Sequence, residues 1–243
     1  MDNFFSKMCP VCGNVTPDFM IWLEEVAGVQ RILCKSCDTI YFDREPPAWP
    51  KYDIEYNKHF FRPGDIRKAG IMAAKLAELA IDKWKHPNIL EAGAGNGLTV
   101  LLLRSMGLNA FGLDLDPKLA TFLMLEYKIP IVSGRFEEFN PPGKYHLIYS
   151  SHVIEHTKYP REFMRKAYDL LEDGGIFFLD TPDTYFHDKE KKRWHHFETR
   201  NPYEHCCLLG SVGVRLLSQQ AGFSSFAIKR YDEFMSQQAI LIK

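Results

Sequence analysis

From residue 88 onward, short apolar runs alternate with stretches in which apolar residues recur every three or four positions. The runs at residues 89–92, 110–113, 129–132, 147–150 and 176–180 have strand length, and helices are expected between most of them. That alternation predicts an α/β fold with a mostly parallel sheet covered by helices on both faces. Two last strands are expected after Gly222, near residues 226–229 and 239–242. Upstream, Ile66, Ala69, Ala73, Leu76, Leu79 and Ala80 recur at helical spacing across residues 65–84, with Asp65 as the expected N-cap. Before that helix, Glu45-Pro46-Pro47-Ala48-Trp49-Pro50 marks a boundary by its proline density. The pattern divides the chain into a small unit over 1–45, a linker and capping segment over 46–64, and a main α/β domain over 65–243.

A unit of 45 residues buries too little apolar surface to fold on its core alone, so its cysteines matter. Four of the six cysteines form the pairs Cys9-Pro10-Val11-Cys12 and Cys34-Lys35-Ser36-Cys37, separated by the strand-like Gln30-Arg31-Ile32-Leu33. Each pair makes a knuckle whose two thiolates converge, and two knuckles complete a tetrahedral four-sulfur zinc site, closed and structural. A redox pair is the competing reading, but that motif is a single pair at a helix N-terminus within a βαβ unit. Cys206 and Cys207 are adjacent and lack the spacing. A cytoplasmic location is expected: the first eight residues include Asp2 and no apolar h-region, and no apolar run approaches the ~20 residues of a membrane span. The net charge of −1 predicts no broad basic face, which argues against a nucleic-acid partner. The short basic run at residues 189–193 reads as a solvated face.

The stretch Asn88-Ile89-Leu90-Glu91-Ala92-Gly93-Ala94-Gly95-Asn96-Gly97 is a strand entering a glycine-rich turn that opens a helix, the local form of a nucleotide site. Its Glu-x-Gly-x-Gly-x-Gly order differs from the Gly-x-Gly-x-x-Gly of dinucleotide enzymes, which argues against NAD or FAD. One strand and one helix later, Gly112-Leu113-Asp114-Leu115-Asp116-Pro117 places a carboxylate where it can accept both hydroxyls of a ribose. Asp116 before Pro117 is expected to cap the following helix.

The order of Glu91, Asp114, Ser150-Ser151-His152-Val153-Ile154-Glu155-His156 and Leu170-Leu171-Glu172-Asp173-Gly174-Gly175 resembles the class I S-adenosylmethionine-dependent methyltransferases. Within that class the chain looks most like the branch of ubiquinone-pathway and sugar O-methyltransferases. The resemblance implies a Rossmann-like seven-stranded sheet whose last strand is inserted antiparallel. It also implies that Glu91 and Gly93 hold the methionine amino group in a turn completed by Gly95, Asn96 and Gly97. Asp114 would hold the ribose, Leu115 a face of the adenine, Ser151 the methionine moiety, and Tyr56 would close over the cofactor. Relatives place an acid after the glycine of Gly134-Arg135-Phe136-Glu137. Here that residue is Arg135, so the adenine contact shifts to the Phe136 backbone or to Glu137.

Methyl transfer from a sulfonium needs alignment and, for an oxygen nucleophile, a base. His152, His156 and His205 are the candidates for that base, each with the alternative of a structural hydrogen-bonding role. His152, Glu155 and His156 are also a candidate set for a divalent ion, since some ubiquinone-pathway relatives place acids and a histidine there. The stretch between Thr181-Pro182-Asp183 and Gly210, rich in rings and imidazoles including Tyr185, Trp194, His195 and Tyr203, has the length of a lid, with an aromatic-rich cover packed on the core as the alternative. The expected activity is methylation of a small molecule, a hydroxyl of a sugar, quinone-like or other metabolite. An RNA acceptor recognised through the ribbon and a cofactor-binding scaffold without turnover are the alternatives.

Overall fold

The computed structural model describes residues 8–26, 29–43, 62–189, 205–232 and 235–243. Tyr56, Glu204 and the rings from Trp194 to Tyr203 lie outside the described residues. Three strands open the chain, β1 (Met20–Val26), β2 (Val29–Cys34) and β3 (Thr39–Phe42). Then come α1 (Pro63–Ile81), β4 (Asn88–Ala92), α2 (Leu98–Ser105), β5 (Asn109–Asp114), α3 (Pro117–Tyr127), β6 (Ile131–Ser133) and β7 (Tyr145–Ser151). The rest is α4 (Pro160–Leu170), β8 (Leu171–Pro182), α5 (Tyr185–Lys189), β9 (Cys207–Leu208), α6 (Ser211–Ala221), β10 (Ser225–Tyr231) and β11 (Ser236–Ile242). Among the described residues no helix is long and apolar enough to cross a membrane.

Seven strands form one sheet in the order β10-β11-β8-β7-β4-β5-β6. The pairs β4–β5, β4–β7 and β5–β6 are parallel, as the alternating pattern requires. β11 is inserted between β10 and β8, and its direction follows from two backbone bonds. Lys243 donates to Gly175 at the start of β8, and Asp183, just past the end of β8, donates to Met235 just before β11, so the two strands run antiparallel. This is the Rossmann-like seven-stranded order, with its last strand inserted antiparallel, that the resemblance implies.

Local chemistry sets the element ends. α1 begins at Pro63, whose fixed φ and missing N–H suit the first helical position, so the N-cap is Arg62 and Asp65 falls in the first turn instead. Asp116 caps α3 as expected, accepting from the Lys118 amide at 2.8 Å.

The described residues fall into two compact units. One comprises Lys51–Ser151, Lys166–Phe178 and the last two residues. Its core is built from Ile89, Leu90, Leu103, Leu113, Leu119, Leu123, Leu147 and Ile148, all essentially inaccessible to solvent. The other comprises the described residues among the first fifty, His152–Arg165 and the described residues of 179–241. Here β1, β2, β3 and β9 make a four-stranded antiparallel sheet, closed by Ile40 opposite Leu208 and Tyr41 opposite Cys207. Ile40, Leu208, Phe186 and Met235 form one apolar cluster of this unit, and Val29, Phe42 and Cys206 another. Arg161 clamps the Val11 carbonyl through Nε and Nη2, and Thr184 Oγ1 donates to the Asp38 carbonyl. The sequence boundaries set the four-cysteine segment apart, whereas its backbone is paired and hydrogen-bonded to residues far along the chain.

Candidate active site and metal centre

The turn after β4 is built around Gly93, Gly95 and Gly97, all with positive φ. The Gly93 and Ala94 amides donate to the Leu113 carbonyl, which ties the turn to β5. Asp114, at the end of β5, accepts from the Gly95 amide at 2.8 Å and, through its other oxygen, from the Asp116 amide at 3.1 Å. Burial pushes its pKa up, and the two amides pull the other way by holding the charged form in place. Asn96 Oδ1 accepts from the Leu98 amide and so supports the start of α2.

Glu91 lies on β4 opposite Gly112, which is two residues before Asp114 on the neighbouring strand. A Cβ at residue 112 would come within 2.9 Å of Ala94 Cβ, so glycine there lets the turn sit against β5. Glu91 is buried, Thr99 and the Val100 backbone favour its charged form, and among the described residues its Oε2 has no partner. Burial pushes its pKa up to about 8. A buried carboxylate with an orphaned oxygen fits a cationic or donor group of a bound molecule.

The remaining predicted cofactor residues divide by exposure. Leu115 is 54% exposed, an apolar side chain left open directly after Asp114. Phe136 is buried, so only its backbone is available to an adenine. Glu137 is occupied by Arg135 at 3.9 Å, and Arg135 also reaches Glu138 at 3.3 Å. Ser151 is half-buried at the end of β7.

The four predicted metal ligands converge. The sulfurs of Cys9, Cys12, Cys34 and Cys37 all lie within 4.8 Å of one another, with Cys9–Cys37 and Cys12–Cys34 each at 3.5 Å. A disulfide would bring sulfurs to about 2.05 Å. A tetrahedral zinc with bonds of about 2.3 Å sets them about 3.8 Å apart, close to what is seen. Without an ion the thiols compete for protons: the bond from Cys37 pulls Cys9 down to about 6, and burial pushes Cys12 up to about 11. A divalent cation is the charge that would let all four be thiolates.

The three histidines gather around Glu155, which is fully buried. His152 Nδ1 lies 3.1 Å from Glu155 Oε1, and Thr181 Oγ1 donates to Oε2 at 3.0 Å. Burial alone would raise the pKa of Glu155, but the His152 hydrogen bond and the charges of His152, His156 and His205 outweigh it and pull it down to about 2. The rings of His156 and His205 are 4.9 Å apart. Burial, with the charge of His156, pushes His205 down to about 3, which leaves it neutral near pH 7. His152 is the open member, its side chain 44% exposed, in a left-handed conformation with φ +52 fixed by its amide bond to the Asp180 carbonyl.

Glu155, His156 and His205 each bring a ligand atom within 4.8 Å of the others, so the set with metal-ligating geometry includes His205 in place of the expected His152. Both Glu155 oxygens already accept protein hydrogen bonds, which meets its charge without an ion. Thr181 and Asp180 escape a reading by motif. They sit at the end of an apolar strand, and the only signal for them is a polar pair where the run stops.

Residues 65–226 match a family described as a methyltransferase domain. The chain is 28% identical over 98 residues to a protein of Mycolicibacterium smegmatis whose name begins "Probable S-adenosylmethionine-dependent methyltransferase". That match covers 40% of this chain and 38% of the relative. Among solved structures, it is similar to magnesium protoporphyrin IX methyltransferase from Synechocystis with bound SAH (TM-score 0.57, 14% identity, 81% of this chain and 89% of that one). A SAM-dependent methyltransferase from Archaeoglobus fulgidus has the same TM-score and identity over 72% of this chain and 94% of that one. At such identities the two structures speak for the fold alone.

Proposed function

Because the chain belongs to the methyltransferase-domain family, we propose that it transfers the methyl group of S-adenosylmethionine to a hydroxyl of a small-molecule acceptor, with one structural zinc in its N-terminal ribbon. The orphaned Glu91 Oε2 carries the donor assignment: a buried carboxylate oxygen with no protein partner suits the ammonium of a methionine moiety. Asp114 accepts the ribose hydroxyls, and the exposed Leu115 covers an adenine face. Cys9, Cys12, Cys34 and Cys37 hold the zinc, which has no open position for chemistry.

The sulfonium, when bound, supplies an electrophilic methyl. His152 takes the hydroxyl proton through Nε2, since Nδ1 faces Glu155, whose low pKa keeps it an anion that fixes the ring and stabilises the imidazolium. His205, pushed down to about 3, is too weak a base for this at neutral pH, and with His156 it completes the shell around Glu155. A small acceptor fits better than RNA. Of the three basic residues before Asp43, Arg31 is buried, its guanidinium over the Phe42 ring and away from any phosphate.

His152→Ala is expected to lower kcat by about 10²- to 10⁴-fold and to abolish the acid limb of the pH–rate profile. Glu155→Gln keeps that limb with reduced kcat. Rates against pH for both variants check this, and an unchanged limb in His152→Ala removes His152 as the base.

Glu91 offers a test independent of the acceptor. Its ordinary pKa of 4.5 is raised to about 8, so at pH 7 the cofactor-free protein carries the proton there. An ammonium requires the carboxylate, so binding of S-adenosylhomocysteine should release close to one proton per chain. Calorimetry in buffers of different ionisation enthalpy measures it, and zero release would sink the assignment of Glu91. The same shift means that the cofactor-free protein loses stability as pH rises from about 4.5 to about 8, because the unfolded chain gives up this proton first.

A further inference from the structure

Asp180 stands next to the proposed base and has no role in the chemistry above. Its backbone carbonyl accepts the His152 amide at 2.8 Å. Its side chain is nine-tenths buried, and Oδ2 accepts from Gln238 Nε2 at 3.3 Å. Ser236 of β11 also favours the charged form of the carboxylate, so β11 supplies two polar side chains that act on Asp180. Oδ1 is buried and among the described residues has no hydrogen-bond partner. Asp180 and Glu155 thus both bear on His152, one carboxylate satisfied and the other with an oxygen to spare.

We propose that Asp180 is an acceptor-binding residue whose Oδ1 takes a hydrogen bond from a second hydroxyl of the acceptor, next to the one His152 deprotonates, so that the preferred substrates are vicinal diols. The proposal rests on the reading of His152 as the base. An oriented, buried acceptor atom without a protein donor rejects a molecule that lacks the matching hydroxyl, because the carboxylate then stays buried and unpaired. Burial pushes the Asp180 pKa up, with the charge of His152 acting the other way, which is the expected behaviour of a carboxylate waiting for a donor. Holding it unpaired costs stability in the acceptor-free protein, a trade typical of binding sites.

Asp180→Asn keeps the shape and an acceptor oxygen while removing the charge. The variant should melt at the same temperature as the parent or higher, and bind S-adenosylhomocysteine with unchanged Kd. In an assay of S-adenosylhomocysteine release, the parent should favour catechol over phenol, and methyl glucoside over its 2,3-dideoxy counterpart. Asp180→Asn should shrink that preference by about 10- to 100-fold through KM. Equal rates with the vicinal diol and the counterpart that lacks one, both dependent on His152, overturn the role of Asp180 alone. Turnover of neither kind by a protein that binds S-adenosylhomocysteine overturns the base reading beneath it. A lowered melting temperature in Asp180→Asn, or a crystal structure with catechol in which Oδ1 is held by a water bonded to other protein groups, shows a structural role and also overturns the proposal.

Discussion

If the four-cysteine site holds the proposed zinc, Cys9→Ser and Cys34→Ser are each expected to reduce the zinc content from about one per chain to near zero and to lower the melting temperature by roughly 8–16 °C. The magnitude follows from an assumed loss of about 4 kcal/mol, at about 2–4 °C per kcal/mol for a chain of this size. That loss is a fraction of the ~10–16 kcal/mol with which four-ligand zinc modules bind their metal. The two cysteines sit on opposite knuckles, each sulfur 3.5 Å from a partner on the other, so either substitution breaks a cross-knuckle edge of the tetrahedron. The effect does not stop at residue 45. β3 begins two residues after Cys37 and pairs with β9, and Arg161 holds the Val11 carbonyl inside the first knuckle. Loss of the metal therefore loosens the backbone that leads from His205 into β9. Elemental analysis and calorimetric melting check the prediction together. A metal-free protein with unaltered melting would show that the thiols need no ion.

Asp114→Ala weakens S-adenosylhomocysteine binding by about 10²- to 10⁴-fold. Two ribose hydrogen bonds to a charged acceptor are each worth about 1.5–3 kcal/mol. Because Asp114 also anchors the Gly95 and Asp116 amides, part of the loss in the alanine variant comes from a slackened glycine turn. Asp114→Asn separates the two contributions: it keeps an oxygen for one amide but loses the charge and one acceptor, and should fall between. Calorimetric titration with NAD as the control ligand is the measurement, and a parental Kd in Asp114→Ala would remove the ribose assignment.

How far the sequence foretells this structure depends on the range of the forces involved. Elements fixed by local chemistry are legible. Asp116-Pro117 as a helix start, the glycine turn after β4 and the strands over residues 88–92 and 109–114 follow from backbone preferences and period. The N-cap of α1 lies three residues before the expected Asp65, because Pro63 suits the first helical position and outweighs a capping carboxylate. The convergence of four cysteines is legible because a metal leaves a spacing. By contrast, nothing local in His205 reveals that it joins Glu155 and His156, or that β9, two residues long, finishes the ribbon sheet. Those depend on pairings between segments far apart in sequence, which leave no periodic trace. The role of each histidine was also beyond the motif. All three share a residue type, and only their burial and their distance to Glu155 tell the exposed His152 from the neutral, enclosed His205.

The pairing of Ile40 with Leu208 has a consequence for how the chain is made. During synthesis β3 leaves the ribosome long before its partner strand β9 follows. Until then one edge of the ribbon sheet, apolar at Ile40 and Phe42, stands unpaired and is open to strand addition from another nascent chain. Early metal capture would hold the hairpin of β2 and β3 in register through that interval, so limiting zinc during expression should show itself first as aggregation and only secondarily as lost activity.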